Sequence, residues 1–138
     1  LLFLIAGASG DEITAKLALP AHVLGYVSAE NMPEMYNAAD LFVTPSLQEN
    51  LPNTIMESMS CGTPCVGFDI GGIPEMIIHK ETGYVAAYKD AADFAKGIEY
   101  VLYGADSETL SAACREFVLK NYASAQIAKQ YISLYNSL

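Results

Sequence analysis

Short apolar runs and helical stripes alternate along the first two thirds of the chain. The runs Leu1 to Ala6, His22 to Tyr26, Leu41 to Thr44, Pro64 to Phe68 and Tyr84 to Ala86 have the length and apolar character of strands covered on both faces. Between them, Met32, Met35, Tyr36 and Ala39 recur at helical spacing, and so do Ile55, Met56 and Met59. Strand, helix, strand in this rhythm predicts parallel pairing with right-handed crossovers. The expected fold class is therefore α/β, a Rossmann-like doubly wound parallel sheet. After Tyr88 the pattern is helical only. Asp90 is a candidate cap for a helix with Ala91, Phe94, Ala95, Ile98, Val101 and Leu102 on one stripe. Leu110, Ala113, Cys114, Phe117 and Val118 mark the next helix, and Ile127, Tyr131, Leu134 and Leu138 the last. All three stripes read as core, and these helices close the domain.

No linker, low-complexity segment or internal repeat interrupts the pattern, so residues 1–138 read as one domain with a real core. The apolar start, Leu1-Leu2-Phe3-Leu4-Ile5-Ala6, lacks a basic leader and is far shorter than the roughly 20 residues that span a bilayer. It reads as a buried strand. A chain that opens inside a strand, without an initiating methionine, is expected to be a fragment of a longer protein. The formal net charge of −9 argues against a nucleic-acid groove or an anionic membrane surface as a partner. A phosphate-bearing ligand would have to be held by backbone dipoles and a few local charges. The three cysteines, Cys61, Cys65 and Cys114, form neither a disulfide framework nor a zinc motif, which points to a reducing cytosol.

Ligands of open parallel sheets bind beyond the carboxyl ends of the strands. Three segments end strands in suitable loops: Gly7 to Gly10, Pro45 to Asn53, and Asp69 to Pro74. The middle one carries the chemistry. Glu49 lies in a turn-rich loop, and Glu57 follows seven intervening residues later on a short helix that opens at Pro52. Pro52 suits the first helical position, where its missing N–H costs nothing, and the free N–H groups of Asn53 and Thr54 come next. A carboxylate beside a helix N-terminus can grip vicinal hydroxyls while the N–H groups receive a diphosphate. Gly71 and Gly72, just before a second helix start at Ile73-Pro74-Glu75, let backbone approach a ligand closely. Two helix N-termini facing one anionic group are expected.

The run from Tyr36 through Glu75 contains Asn37-Ala38-Ala39-Asp40, Pro45-Ser46, Glu49, Glu57, Cys61-Gly62-Thr63-Pro64 and Gly71-Gly72. In this ordered series the chain resembles the C-terminal, donor-binding domain of GT-B retaining glycosyltransferases of family four. The resemblance extends to Leu24-Gly25-Tyr26, Thr82-Gly83-Tyr84 and the three closing helices. It implies that Glu57 binds the ribose hydroxyls of a UDP-, GDP- or ADP-sugar, and that Glu49 contacts the transferred sugar near its reacting carbon. Asn50 and Leu51 fall where the family sets loop backbone against sugar and diphosphate, Asn53 and Thr54 at the helix start beneath the phosphates, and Gly71 and Gly72 along the same crevice. His22 falls near the nucleobase pocket. The implied reaction moves a glycosyl unit to a saccharide or lipid-linked acceptor with retention of configuration and without a divalent metal or cofactor. No metal-ligand cluster is evident in the sequence.

Two departures matter. Many members carry Gly-Phe-Gly after the first glutamate, where this chain has Asn50-Leu51-Pro52. The basic pair that the family sets against the diphosphate lies in a strand-helix unit that would precede Leu1, and the N-terminal acceptor domain would precede that. The fragment alone is expected to bind a donor weakly and not to turn over. Outside this series each residue has a plainer reading: Glu57 an exposed helix charge, Glu49 a solvated loop acid, Gly71-Gly72 a turn, Cys61 and Cys65 small buried hydrophobes. Asp40 and Glu75 read as turn or helix-end residues, and His79 as part of a surface turn. Competing functions are a GT-B-like sugar-nucleotide epimerase and a non-catalytic α/β regulatory or protein-binding module. A receiver domain needs acids after the first strand, and Ala6 to Gly10 supplies none.

Overall fold

A computed structural model describes residues 1–7 and 13–137 of the chain. Among the described residues, the elements with defined bounds are five strands and six α-helices in the order β1 (Phe3–Ala6), β2 (Ala21–Gly25), α1 (Met32–Asn37), β3 (Phe42–Thr44), α2 (Asn53–Ser60), β4 (Cys65–Phe68), α3 (Ile73–Met76), β5 (Gly83–Ala86), α4 (Ala91–Glu99), α5 (Ser107–Asn121) and α6 (Ser124–Asn136). Each strand falls within two residues of its predicted span. β4 starts at Cys65 rather than Pro64, which has no N–H to give a ladder; its carbonyl accepts from the Phe42 N–H at 2.9 Å instead.

All strand pairing is parallel, as the alternating pattern predicts, but it forms two ladders rather than one continuous sheet. β1 pairs with β2, with a slip after Ile5 that sets Ala6 opposite Gly25. The second ladder has the order β3-β4-β5. Its central strand shows why this part is doubly wound. Side chains alternate across the sheet, so Cys65 joins Ile55 and Met59 of α2, Ile73 and Met76 of α3, and Cys114 and Val118 of α5 on one face. Val66 and Phe68 join Ala86 of β5, Phe94 of α4, Val101 and Leu110 on the other.

The predicted Asp90 cap and the α5 stripe hold, and the α4 stripe holds in part. The Asp90 carboxylate accepts from the N–H groups of Ala92 and Asp93 at 2.9 and 3.0 Å, capping α4. The stripe of α4 is centred on Phe94 and Gly97, with Ala91 and Ala95 exposed, and the helix runs on into a π-turn over Tyr100–Gly104. On α5, Leu110, Cys114 and Val118 are buried as expected. Cys65 and Cys114 are buried free thiols and Cys61 is half-buried.

Two further expectations fail in the fold. β1 was expected to be covered on both faces, yet Leu1, Leu2 and Leu4 are exposed and neither buried cluster includes a residue of β1 or β2. A strand is buried only where other elements pack on its faces, and each of these two strands has the other as its main neighbour. The stripe of α6 is not core either. None of the described residues of α6 is buried, Tyr131 and Leu134 are 57% and 54% exposed, and Leu138 lies outside the described residues. Residues 8–10 of the first predicted loop lie outside them as well.

Candidate functional site

The loops after β3, β4 and β5 meet at the carboxyl edge of the three-stranded sheet and are stitched to one another. After β3, the Thr44 and Ser46 hydroxyls lie 3.2 Å apart, and the loop then carries Glu49 and Asn50 toward α2. The Tyr88 hydroxyl, beyond β5, donates to the Leu47 carbonyl at 3.1 Å. The Gly72 N–H, beyond β4, donates to the Asn50 carbonyl at 2.5 Å, and the Asp69 N–H donates to the Ala86 carbonyl at 2.7 Å. Glu49 is half-buried in this web, whereas Asn50 and Leu51 are exposed.

Gly71 and Gly72 are thus explained by the protein itself. A Cβ on Gly71 would lie 1.9 Å from the Glu49 carbonyl oxygen, and one on Gly72 would lie 2.3 Å from that of Asn50. Gly71 also has φ +55°, in the left-handed region. The close backbone approach expected toward a ligand is made toward the Glu49 loop. The expectation of two helix N-termini converging on one anion is corrected too. α3 is a single turn of four residues, its Gly72 N–H is engaged by Asn50, and its Ile73 N–H donates to the Ile70 carbonyl at 3.2 Å. One helix N-terminus remains.

That terminus belongs to α2. Pro52 is not its first residue but its cap, buried, with φ −70° and ψ 115°, and its carbonyl accepts from the Ile55 N–H at 3.1 Å. Helix geometry leaves the N–H groups of Asn53 and Thr54 without an intrahelical acceptor, at the positive end of the helix dipole. No acid in the first turn of α2 opposes an anion there. Glu57 follows one turn later on the same face as Asn53, with its side chain exposed. The buried face opposite carries Ile55, Ser58 and Met59.

The Glu57 carboxylate is not a free surface charge. Its Oε2 accepts a hydrogen bond from the Tyr36 hydroxyl at 3.1 Å. Tyr36 is only 2% exposed. Burial first, and the Glu57 charge second, push its phenol well above the usual tyrosine range, so the hydroxyl stays a donor. Sequence reasoning placed Tyr36 on an apolar helix face and missed its polar end. Helical spacing signals burial, and nothing in it signals a partner 21 residues away. Tyr88 was likewise missed, its contact spanning 41 residues.

His22 does not join this group. It is the second residue of β2, exposed, at the amino end of a strand in the other ladder, whereas the site loops all follow carboxyl ends. His79 holds its own fold, with Nδ1 accepting from the Val85 N–H at 3.2 Å and its ring 4.4 Å from that of Tyr84. Among the described residues, no group of three or more His, Cys, Asp or Glu side chains is placed to hold a metal ion. A cavity of about 1530 Å³ lies at the opposite, amino edge, where Asp40, Pro64, Tyr103 and Arg115 line it. It includes neither Glu49 nor Glu57, and the geometry of parallel sheets favours the carboxyl edge over it.

A doubly wound parallel arrangement with an unopposed helix N-terminus and two acidic side chains at its carboxyl edge places the chain in the Rossmann-like α/β class. The glycosyl transferases group 1 family model matches residues 1–103, and the chain belongs to this family of GT-B glycosyltransferases. It is 30% identical over 125 residues to N-acetyl-alpha-D-glucosaminyl L-malate synthase of Bacillus anthracis, covering 90% of this chain and 33% of that one. Among solved structures, sucrose-phosphate synthase from Thermosynechococcus elongatus superposes with a TM-score of 0.80 at 28% identity, covering 99% of this chain and 38% of that one. Anabaena HepE in complex with UDP-glucose superposes with a TM-score of 0.80 at 20% identity, covering 98% and 40%, a likeness of fold. The chain therefore spans between a third and two fifths of these proteins.

Proposed function

We propose that this chain is the donor-binding half of a retaining, metal-independent hexosyltransferase that moves a glycosyl unit from a nucleoside diphosphate sugar to a saccharide or lipid-linked acceptor in polysaccharide or glycoconjugate synthesis. The observation that carries the reading is the Glu57 carboxylate, steadied by Tyr36 beside the open N-terminus of α2, with Glu49 on the loop just ahead. Glu57 accepts from the ribose hydroxyls, and the N–H groups of Asn53 and Thr54 face the diphosphate. Glu49 contacts the donor sugar beside its anomeric carbon and orients it, with the backbone of Asn50 and Leu51 along the sugar and diphosphate. The acceptor hydroxyl attacks that carbon from the face the diphosphate leaves. Its proton passes to the departing phosphate oxygen, and the helix dipole stabilises the developing charge. HepE, whose fold this chain shares, was crystallised with UDP-glucose, which supports a nucleotide-sugar donor.

Among the described residues no helix is long and apolar enough to cross a membrane, and the acidic surface gives this half no attraction to anionic lipid. The three unpaired cysteines fit a cytoplasmic setting. The test is a thermal-shift and calorimetric screen of UDP, GDP, ADP and their sugar conjugates on the whole natural polypeptide that carries this chain. One nucleotide should bind saturably. Glu57→Ala should weaken it about ten- to a hundredfold at unchanged fold stability, since a charge-assisted hydroxyl contact is worth roughly 1.5–3 kcal/mol. No binding by a folded protein would contradict the reading and move the weight to a degenerate or protein-binding module.

A further inference from the structure

We infer that Tyr36 is a positioning residue for nucleotide recognition: its buried hydroxyl fixes the rotamer of Glu57 so that the carboxylate meets both ribose hydroxyls. The inference rests on the ribose reading of Glu57 and extends it to a residue on another helix.

Tyr36 is held from three directions. Its ring packs edge-on against Phe42 of β3, with centroids 5.7 Å apart and planes at 83°. Its carbonyl accepts from the Thr63 hydroxyl at 2.7 Å, and the Thr63 carbonyl accepts from the Ser58 hydroxyl of α2 at 3.0 Å. Its own hydroxyl reaches Glu57 Oε2. Strand, helix and the α2–β4 turn thus converge on one residue: the turn holds its backbone carbonyl, the strand its ring, and the polar end of the side chain meets an acid. Buried tyrosine hydroxyls need a partner, and this one has taken an exposed carboxylate that had water available.

For Glu57 the consequence is order. A glutamate on an exposed helix face samples many rotamers, and binding must then freeze one of them. A donor at Oε2 selects the rotamer beforehand. It leaves Oε1 and the second lone pair of Oε2 to accept from two adjacent hydroxyls. The elevated phenol pKa keeps the proton on Tyr36, so it continues to donate to the ionised carboxylate.

The experiment uses the whole natural polypeptide and the nucleoside diphosphate found to bind, beside its 2′,3′-dideoxy analogue. Wild type should prefer the ribonucleotide by tenfold or more. Tyr36→Phe, which keeps the ring, should weaken ribonucleotide binding by about five- to tenfold and leave the dideoxy affinity unchanged. With Glu57 already replaced by Ala, adding Tyr36→Phe should cost nothing further. Equal losses for both nucleotides would show a merely structural tyrosine, and no loss for either would show an idle one; both overturn the inference. The ribose reading itself fails under a different result, namely wild type that does not distinguish the two nucleotides, or Glu57→Ala that binds the ribonucleotide as wild type does. Should Tyr36→Phe not fold, Phe42→Leu loosens the ring while keeping the hydroxyl. It should then produce a smaller loss confined to the ribonucleotide, and a loss shared by both nucleotides would overturn the inference.

Discussion

The two glutamates stand a few residues apart and are supported in opposite ways. Glu49 sits on a loop whose shape comes from backbone contacts: Gly72 bonds Asn50, Tyr88 bonds Leu47, and Gly71 lies flush against the Glu49 carbonyl. Glu57 sits on a helix already fixed by Ile55 and Met59 in the core, and one side-chain hydrogen bond from Tyr36 orders the carboxylate. Position is therefore encoded in the backbone for one acid and in a rotamer for the other. The division suits their proposed tasks. A group beside a reacting carbon must be placed to a fraction of an ångström, while a group that recognises hydroxyls needs a defined direction of approach.

The comparison breaks most sharply at Gly71. Gly71→Ala sets a methyl group into the Glu49 carbonyl and strains a left-handed residue. Glycosyl transfer should fall by about a hundredfold or more, with a loss of about 1–3 kcal/mol in stability. Affinity for the free nucleoside diphosphate should change much less, because α2 and Tyr36 are untouched. Initial rates, chemical denaturation and calorimetry separate the three effects.

Glu57→Ala comes next, with its expected ten- to hundredfold loss in nucleotide affinity. Its mark is that turnover at saturating donor survives better than affinity. Tyr88→Phe has the smallest expected effect. It removes one hydrogen bond to the Leu47 carbonyl from a side chain that is partly exposed, worth about 0.5–1.5 kcal/mol at most. A few-fold drop in kcat with nucleotide affinity unchanged is expected. If Tyr88→Phe instead weakens the nucleotide alone, the β5 loop supports the helix side of the site and the division drawn here is wrong.

What the sequence made legible follows from how local each signal is. The strands, the Asp90 cap and the α5 stripe depend on period and neighbouring residues, and they appear where expected. The Pro, Gly and Glu landmarks identified the family because their order survives without any three-dimensional knowledge. Contacts between loops have no such trace. Gly71 and Gly72 signalled close approach but not what approaches, and the partner is the Glu49 loop. Pro52 marked a helix start to within one residue, because cap and first turn both accept a φ near −70°. An apolar pattern also says that a surface prefers to be covered, not that it is. β1, β2 and α6 carry strand and helix patterns as clear as those of β4 and α5, yet the described residues leave Leu4, Tyr131 and Leu134 exposed.

The most direct test of the two-glutamate account is a calorimetric comparison of the selected nucleoside diphosphate with its sugar conjugate, on the whole natural polypeptide, as wild type, Glu57→Ala and Glu49→Gln. Glu57→Ala should weaken both ligands by the same factor, because both carry the ribose. Glu49→Gln should leave the nucleoside diphosphate unchanged and remove only the extra affinity that the sugar contributes. A folded Glu57→Ala protein that binds the nucleoside diphosphate as tightly as wild type would contradict the account.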